Sequence, residues 1–221
     1  MDWKQNCVAV IPCFNEAERI GAVVAGVLLH LPRVMVVDDG STDATADCAR
    51  RAGAGVLRLP CNTGKGAALQ AGWRHARQHG FTWVLLLDGD GQHAAADIPH
   101  FFAQAETSGC RLVIGNRMNH AAAMPWLRRQ VNRWMSRRIS RLTGMELPDS
   151  QCGFRLAHLE PLLEMPIQAN RFEIESAMLV AFCRAGFRVE FVPVRTIYQN
   201  EISHIHPVTD TWRWLRWRRA Q

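Results

Sequence analysis

Long apolar runs and a secretion signal are both missing from this 221-residue sequence. A membrane-spanning helix needs about 18 consecutive apolar residues. The best candidate, residues 22–31, is shorter and contains Gly26 and His30. The first four residues show neither the cationic start nor the cleavage site of a signal peptide. We therefore expect a cytoplasmic protein without a membrane span.

Paired cysteines are also missing. The seven cysteines are scattered, form no CxxC motif and are odd in number. A disulfide framework or a cysteine-based metal site would require paired or clustered residues. The pattern is typical of reduced cysteines in a cytosolic protein.

Acidic residues are absent from two stretches that are rich in arginine. Residues 126–141 contain six arginines and no acid, and residues 211–221 contain four arginines and no acid. The net charge of +6 belongs to these two stretches, since acids outnumber bases in the rest of the chain. Such surfaces attract the phosphate groups of lipids, nucleotides or nucleic acids.

Short apolar runs alternate with helical patterns along the first two thirds of the chain. Continuous Val/Leu/Ile runs are typical of strands that are covered on both faces of a parallel sheet. The predicted strands are residues 7–11, 33–37, 55–59, 83–87 and 111–114, followed later by 153–156 and 188–192. The predicted helices are residues 16–31, 42–52, 64–80, 94–108, 124–143, 172–185 and 209–219, with Asn15, Ser41 and Asn62 as N-caps. Repeated β-α units predict a doubly wound α/β sheet that binds ligands at the carboxyl ends of its strands.

Polar clusters follow four of these strands, at residues 12–16, 38–43, 62–66 and 88–93. In the fourth cluster, Asp88 and Asp90 lie two residues apart and are flanked by glycines. Two carboxylates this close repel each other unless a cation lies between them. Mg²⁺ or Mn²⁺ suits such oxygen ligands, and Gln92 would add a neutral oxygen. The alternative is a polar turn with helix-capping aspartates.

Two other phosphate-binding motifs are matched only in part. Residues 89–94 fit the dinucleotide pattern G-x-G-x-x-A, but a lone match is weak. Gly64 and Lys65 resemble the end of a P-loop, yet Leu59 stands where its first glycine must be and Gly66 replaces the Ser/Thr. Neither motif explains the four clusters together.

The ordered motifs resemble glycosyltransferase family 2. They read Val-Ile-Pro-Cys-Phe-Asn-Glu, Val-Val-Asp-Asp-Gly-Ser-Thr-Asp, Asn-Thr-Gly-Lys-Gly and Leu-Asp-Gly-Asp-Gly-Gln-His. Asp-Ser-Gln-Cys-Gly-Phe-Arg, at residues 149–155, is similar to a segment of dolichyl-phosphate and polyprenyl-phosphate glucose or mannose synthases. The resemblance covers about residues 7–195 and implies the GT-A (Rossmann-like) fold, with a mostly parallel sheet between helices.

This resemblance implies roles at matching positions. The nucleotide-sugar site would contain Pro12, Phe14, Glu16, Asp38, Asp39, Lys65 and Asp88. Asp39 would shape its loop, and Lys65 would lie near the base or the phosphates. The metal would be held by Asp88, Asp90 and Gln92, so that Asp90 supports the departing diphosphate. Arg117 and Arg129 would stabilise phosphate charge, the second in the acceptor segment.

The acceptor decides whether a base is needed. A phosphate acceptor is already anionic near neutral pH, whereas a hydroxyl acceptor requires a general base. Glu173 and Glu175 are the candidate bases, although acids in the first turn of a helix have a simpler explanation. His204 and His206 could complete the metal site, contact the diphosphate, or be ordinary loop residues.

Two segments suggest a membrane surface. The helix at residues 124–143 combines an apolar stripe with arginines, as interfacial helices do. The tail adds Trp212, Trp214 and Trp217, and tryptophan favours the headgroup region. The alternative is a helix that packs on the domain with its arginines solvated.

The sequence therefore predicts an inverting hexosyltransferase at the inner face of the membrane. It would use a GDP- or UDP-hexose and Mg²⁺ or Mn²⁺, with a lipid phosphate as acceptor. Residues 1–200 would form the catalytic domain, with a donor half (1–118) and an acceptor half (119–200), followed by the tail 201–221. A hydroxyl acceptor is the alternative. A nucleic-acid-binding module is disfavoured, because the acidic cluster would repel a nucleic-acid backbone, and a nucleotidyltransferase would need a Gly-rich N-terminal loop that residues 6–20 lack.

Overall fold

The computed structural model describes residues 1–119, 124–167, 169, 171–197, 214, 216 and 217. Its seven strands form one mixed sheet in the order β3-β2-β1-β4-β6-β5-β7. The strands are β1 (Cys7–Cys13), β2 (Val34–Asp38), β3 (Gly55–Arg58), β4 (Trp83–Leu86), β5 (Leu112–Asn116), β6 (Arg155–His158) and β7 (Val189–Pro193). The α/β fold with a mostly parallel sheet is confirmed.

In the described part of the chain, helices precede or connect the strands. They are α1 (Trp3–Asn6), α2 (Ile20–Leu28), α3 (Thr45–Arg51), α4 (Lys65–Gln78), α5 (Ile98–Ser108), α6 (Trp126–Thr143), α7 (Leu159–Glu164) and α8 (Ile174–Arg184). A 3-10 turn, Ala95–Asp97, precedes α5. The described residues include no helix that is long and apolar enough to cross a bilayer.

The central strands carry the core. Every residue of β2, β4 and β5 is buried, which explains their continuous apolar runs. Helix α4 lies so close to the sheet that a Cβ at Gly72 would be 2.6 Å from Val10 Cγ1. The rigid central sheet fixes the positions of the loops that leave its carboxyl edge.

Strand β6 is inserted between β4 and β5 and runs antiparallel to both. Its first residue, Arg155, pairs with Leu86 at the end of β4 and with Ile114 near the end of β5. Residues 149–154 precede β6, and therefore arrive at the same edge of the sheet as the loops that follow the parallel strands. This reversal brings the Asp-Ser-Gln-Cys-Gly-Phe-Arg segment to the ligand edge.

The predicted N-caps are wrong. The residues before α2, α3 and α4 are Arg19, Ala44 and Gly64, and none of them makes a side-chain cap. Asn15 and Ser41 instead join two loops: Ser41 Oγ accepts a hydrogen bond from Asn15 N, and Asn15 Oδ1 accepts one from Thr42 N. These polar residues stabilise the loops after β1 and β2 rather than the helix starts.

Candidate functional site

The loops after β1 and β2 form one end of the candidate site. Asp38, the last residue of β2, is fully buried, and its Oδ1 accepts a hydrogen bond from Ser41 N. Its Oδ2 lies 3.3 Å from Arg58 Nε, but no described group makes an aligned hydrogen bond to it. A buried carboxylate oxygen with spare capacity is suited to accept a ligand hydrogen bond.

The other predicted nucleoside residues lie along the same loops. Pro12 is half-buried near the end of β1, and Phe14 is 37% exposed, so its ring offers an apolar face. Glu16 is buried and lies 3.3 Å from Arg19. Their positions fit the predicted nucleoside pocket, and their contacts with a nucleotide stay a prediction.

Asp39 has a different environment. Its Oδ1 accepts hydrogen bonds from Thr63 N and Thr63 Oγ1, both at 2.9 Å, and its Oδ2 accepts one from Gly64 N at 2.8 Å. The carboxylate thus joins the end of β2 to the start of α4. This geometry fits a residue that shapes the loop and acts on a nucleotide indirectly.

Lys65 lies between two carboxylates. Its Nζ is 2.6 Å from Asp88 Oδ1 and 2.5 Å from Glu175 Oε1. Burial alone would lower the pKa of Lys65, but the two carboxylates outweigh it and raise that pKa. Burial raises the pKa of Asp88, whereas Lys65 and then His93 lower it more, so the net direction is down. Both groups are therefore charged at neutral pH.

His93 is a site residue that the sequence did not single out. Its buried ring lies beside Phe154, with ring centroids 5.1 Å apart, and its Nε2 is 3.4 Å from Asp88 Oδ2. Neither ring nitrogen makes a well-aligned hydrogen bond to a described residue. Its place at the end of the Asp-Gly-Asp-Gly-Gln-His motif was the available signal.

Gly153 is required next to Asp88. A Cβ at this position would lie 2.8 Å from Asp88 Oδ2, so any larger residue would displace the carboxylate. This contact explains the glycine in the Asp-Ser-Gln-Cys-Gly-Phe-Arg segment. The loop before β6 is therefore part of the wall of the candidate site.

The remaining predicted metal ligands are Asp90 and Gln92. Asp90 is half-buried, and its Oδ1 accepts a hydrogen bond from Gln92 N at 3.0 Å. Gln92 Oε1 accepts a long hydrogen bond, 3.4 Å, from Arg128 Nη1 of α6. Within the described part of the chain, no three His, Cys, Asp or Glu side chains are grouped closely enough to hold a metal ion. The Asp90 carboxylate and the Gln92 amide oxygen nonetheless suit Mg²⁺ or Mn²⁺ as ligands, when phosphate oxygens supply the further ligands.

Arg117 forms an ion pair with Asp149. Its Nε donates to Asp149 Oδ2 at 2.8 Å and its Nη2 to Asp149 Oδ1 at 2.9 Å. Asn132 Nδ2 also donates to Asp149 Oδ1, at 3.1 Å. This ion pair connects β5, α6 and the loop before β6, so a phosphate would meet an arginine that already has a partner.

Arg129 differs from Arg117. It is half-buried on α6, its Nε is buried, and no described group accepts a hydrogen bond from that atom. Its neighbours on α6 are in contact with the site, since Arg128 reaches Gln92 and Asn132 reaches Asp149. A buried guanidinium nitrogen with an unused proton is costly unless a ligand accepts from it.

Arg155 joins the loop before β6 to the start of α8. Its fully buried guanidinium donates to three carbonyl oxygens, those of Ser150, Cys152 and Glu175. Burial lowers the pKa of Arg155, and Glu175 partly opposes that shift. The arginine of the motif is thus a structural clamp that fixes the start of α8.

Helix α6 presents an exposed apolar and basic surface. Trp126 and Leu127 are 67% and 65% exposed, and Val131 and Trp134 are also exposed. Arg138 lies over the Trp134 ring, with its guanidinium carbon 5.1 Å from the ring centroid. We call the exposed side chains Trp126, Leu127, Val131 and Trp134 the α6 face. The predicted apolar stripe is not on one surface, because Ile139 is buried whereas Leu127 and Val131 are exposed.

One tryptophan of the tail has another role. Trp214 is buried, and its Nε1 donates to Ser176 Oγ at 2.9 Å. The interpretation of Trp214 as a membrane-headgroup residue is therefore wrong, because its ring is packed inside the protein beside Trp134, with ring centroids 5.6 Å apart. Trp212, His204 and His206 lie outside the described residues. Trp217 is half-buried.

The two candidate bases have different environments. Glu175 is 5% exposed and in contact with Lys65. Glu173 is half-buried directly before α8. A base role stays a prediction for both.

Comparisons with known proteins agree with this geometry. The chain matches Glycosyl transferase family 2 over residues 8–165. It is 34% identical over 205 residues to the glycosyltransferase AglJ of Haloferax volcanii, covering 90% of this chain and 66% of that one. It is 27% identical over 210 residues to the undecaprenyl-phosphate mannosyltransferase of Micrococcus luteus, covering 89% and 85%.

A solved structure is also similar to this chain in its fold. Glucosyl-3-phosphoglycerate synthase of Mycobacterium tuberculosis, in complex with Mn²⁺, UDP-glucose and phosphoglyceric acid, superposes with a TM-score of 0.73 at 21% identity. The superposition covers 96% of this chain and 76% of that one. The fold, the ordered strand-end motifs and the family match together show that this chain belongs to glycosyltransferase family 2.

Proposed function

We propose that this chain transfers a hexose, with inversion at the anomeric carbon, from a GDP- or UDP-hexose to a polyprenyl phosphate. The observation that carries the proposal is the buried Nε of Arg129, which has no hydrogen-bond acceptor among the described residues. A phosphate oxygen would supply that acceptor. The similarity to an undecaprenyl-phosphate mannosyltransferase supports the same acceptor class.

The donor would bind along the carboxyl edge of β1, β2 and β4. Asp38, Phe14 and Pro12 would line the nucleoside end, and Asp90 and Gln92 would lie at the diphosphate end. A bound Mg²⁺ or Mn²⁺ would stabilise the negative charge that develops on the departing diphosphate. Asp90 is the carboxylate best placed to hold such a cation, because no described residue forms an ion pair with it, whereas Asp88 is paired with Lys65.

The acceptor phosphate would bind at α6. It is already a nucleophile near neutral pH, so the protein must orient it rather than remove a proton. Arg129 would hold it as a fork, and Arg128 beside Gln92 adds positive charge at the boundary with the donor. Arg117, bound by Asp149, would contribute by fixing α6 and the loop before β6.

The α6 face supports binding to an anionic membrane surface at the cytoplasmic side. Its exposed tryptophans suit the headgroup region, and the arginines of the same helix would each contribute about 1 kcal/mol near anionic lipid. Arg129 lies on this helix, so membrane binding would bring it to the phosphate of a lipid acceptor. The protein would associate with the bilayer peripherally.

A hydroxyl acceptor is the second candidate. It would need a general base, and Glu173 and Glu175 are the carboxylates available near α8. Glu175 Oε1 is paired with Lys65, which favours Glu173 for that role. The unpaired Arg129 Nε has no part in such a reaction, so the phosphate acceptor is the better account.

A substrate panel tests the proposal. Purified protein with Mn²⁺ is given UDP- and GDP-hexoses, each with undecaprenyl phosphate in anionic liposomes or with a soluble hydroxyl acceptor. We expect a glycolipid phosphate with one nucleotide sugar and no more than trace transfer to the soluble acceptor. Efficient transfer to the soluble acceptor alone would replace the phosphate acceptor by the hydroxyl alternative.

A further inference from the structure

Three charged side chains join the two sides of the candidate site. Lys65 begins α4 on the donor side, Asp88 follows β4, and Glu175 lies in the first turn of α8 on the acceptor side. The Lys65 ammonium contacts both carboxylates, at 2.6 and 2.5 Å, and its side chain is only 16% exposed. One ammonium group thus pairs with carboxylates from both sides of the site.

We propose that Glu175 is a positioning residue that acts through Lys65. Glu175 fixes the Lys65 ammonium, and the ammonium fixes and neutralises Asp88, so that Asp90 is left as the carboxylate that faces a cation. The two aspartates of the motif thereby have different tasks. This inference rests on the proposed donor chemistry, because it assigns a role within that site.

Glu175 is itself held firmly. Its backbone carbonyl oxygen accepts a hydrogen bond from Arg155 Nη1 at 2.6 Å, and Arg155 is fully buried. The next residue, Ser176, accepts hydrogen bonds from Gln151 and from Trp214. The first turn of α8 is therefore anchored on both sides, and the Glu175 carboxylate has a fixed place from which to bind Lys65.

Asp88 is enclosed on both of its oxygens. Lys65 contacts Oδ1, while Oδ2 faces His93 Nε2 at 3.4 Å and the backbone of Gly153. Asp90 accepts a backbone hydrogen bond from Gln92, and no described residue forms an ion pair with it. The Lys65 ammonium thus neutralises Asp88, whereas the negative charge of Asp90 stays available to bind a metal ion.

The phenyl ring of Phe172 completes the surroundings of Lys65. The ammonium lies 5.8 Å from the ring centroid, on the side of α8. An ammonium group with two carboxylates and an aromatic face has little freedom to move. Without the Glu175 charge, the Lys65 ammonium would be free to move with Asp88 or to approach Asp90. At Asp90 it would compete with a bound metal ion.

A double-mutant cycle distinguishes positioning from a base role. The variants are Glu175→Gln, Lys65→Met and both together. Glu190→Gln is the control, because Glu190 is also a glutamate in an ion pair, with Arg188, but lies on β7. Mn²⁺ affinity is measured by electron paramagnetic resonance with saturating UDP or GDP, whichever the wild type binds. The kcat is measured with the best donor from the substrate panel.

We expect Glu175→Gln to weaken Mn²⁺ binding about tenfold, as the loss of one charged contact in a coupled network would. In the Lys65→Met background, the same change should alter Mn²⁺ affinity and kcat by less than about threefold. A general base predicts the opposite pattern: unchanged Mn²⁺ affinity and a loss in kcat of about 100-fold or more in both backgrounds. That pattern would overturn the proposal.

Three further outcomes are decisive. If Glu175→Gln does not fold, Glu175→Asp keeps the charge but shortens its reach to Lys65, and wild-type Mn²⁺ affinity in that variant would overturn the proposal. If the wild type binds Mn²⁺ with neither nucleotide, the proposed donor chemistry fails and the positioning role falls with it. The third outcome is that the wild type binds Mn²⁺ with a nucleotide and transfers hexose, while Glu175→Gln binds Mn²⁺ as tightly as the wild type does. This result would overturn the positioning role of Glu175 and leave the proposed donor chemistry intact.

Discussion

Arg117 and Asp149 form a two-point ion pair inside the acceptor side of the site, with Nε–Oδ2 at 2.8 Å and Nη2–Oδ1 at 2.9 Å. The carboxylate also accepts hydrogen bonds from Asn132 Nδ2 and Gln151 N. One aspartate therefore joins β5, α6 and the loop before β6. The position of α6, and with it that of Arg129, depends on this contact.

Replacement of Asp149 by asparagine should destabilise the fold. It removes the carboxylate that binds the buried guanidinium of Arg117, and breaking such a buried ion pair costs about 3–5 kcal/mol in the free energy of unfolding. Urea denaturation measures this change. The exposed pair Arg111–Glu160 is the control, and Glu160→Gln should cost less than about 1 kcal/mol. Equal stabilities of the two variants would contradict the importance of the buried pair.

The same pair predicts a pH dependence. Burial raises the pKa of Asp149, but Arg117 lowers it more, so the folded pKa lies below the ordinary 3.8. A carboxylate with a lowered pKa contributes stability that is complete above its unfolded pKa and is lost as the pH falls through its folded pKa. Stability of the wild type should therefore drop below about pH 4 more steeply than that of Asp149→Asn. Parallel stability curves for the two proteins would show that Asp149 is not the responsible group.

Replacement of Asp90 by asparagine should remove transfer and leave the fold intact. Asp90 is half-buried and makes one backbone hydrogen bond that an asparagine oxygen can also accept. Loss of the charge should reduce kcat about 100-fold or more, because the Asp90 carboxylate would hold the metal ion that stabilises the departing diphosphate. Transfer assays, Mn²⁺ binding and circular dichroism together measure the effect. Full activity of the wild type in excess EDTA would contradict the role of a cation.

Replacement of Asp38 by alanine should weaken binding of the nucleotide. The buried Oδ2 of Asp38 has no aligned hydrogen bond to a described residue, which leaves it available to a nucleoside donor group. Loss of such a charged hydrogen bond costs a factor of about ten or more in affinity for UDP or GDP. Calorimetry with both nucleotides measures it, and Asp47→Ala, at an exposed helix position, is the control. Unchanged affinity would remove Asp38 from the nucleotide site.

The sequence predicted where the proposed donor-side residues lie in the fold, because each of them follows a strand directly. A strand followed by a polar cluster places Asp38, Asp88 and Asp90 at one edge of a parallel sheet without any knowledge of distant contacts. The acceptor side was predicted only through family resemblance. Its key contacts, such as Lys65 with Glu175 and Arg117 with Asp149, join residues that are far apart in sequence and carry no local pattern.

Trp214 shows that the burial of a side chain also depends on contacts between residues far apart in sequence. Tryptophans alternating with arginines are typical of a membrane-surface segment, and that was the interpretation of the tail. The packing of Trp214 against Ser176 depends on a cleft between α6 and α8 that exists only in the folded protein. Composition alone cannot separate a headgroup-bound tryptophan from one that closes a core.

Removal of apolar side chains from the α6 face should weaken membrane binding. Trp126→Ala combined with Leu127→Ala should lower the fraction bound to anionic liposomes severalfold, since two exposed apolar side chains would leave the interface. Binding of the wild type should rise with anionic lipid and fall with salt. Liposome flotation measures all three effects. Leu29→Ala, at an 83% exposed leucine on another helix end, is the control and should bind as the wild type does.

Transfer of hexose to undecaprenyl phosphate by Arg129→Ala tests the central claim most directly. The buried Nε of Arg129 has no hydrogen-bond acceptor among the described residues, which predicts that this variant loses acceptor transfer about 100-fold. Its affinity for the nucleotide sugar should stay within about twofold of the wild type. Arg129→Lys keeps the charge but not the fork, and should recover only part of the rate. Wild-type transfer to undecaprenyl phosphate by Arg129→Ala would contradict the account.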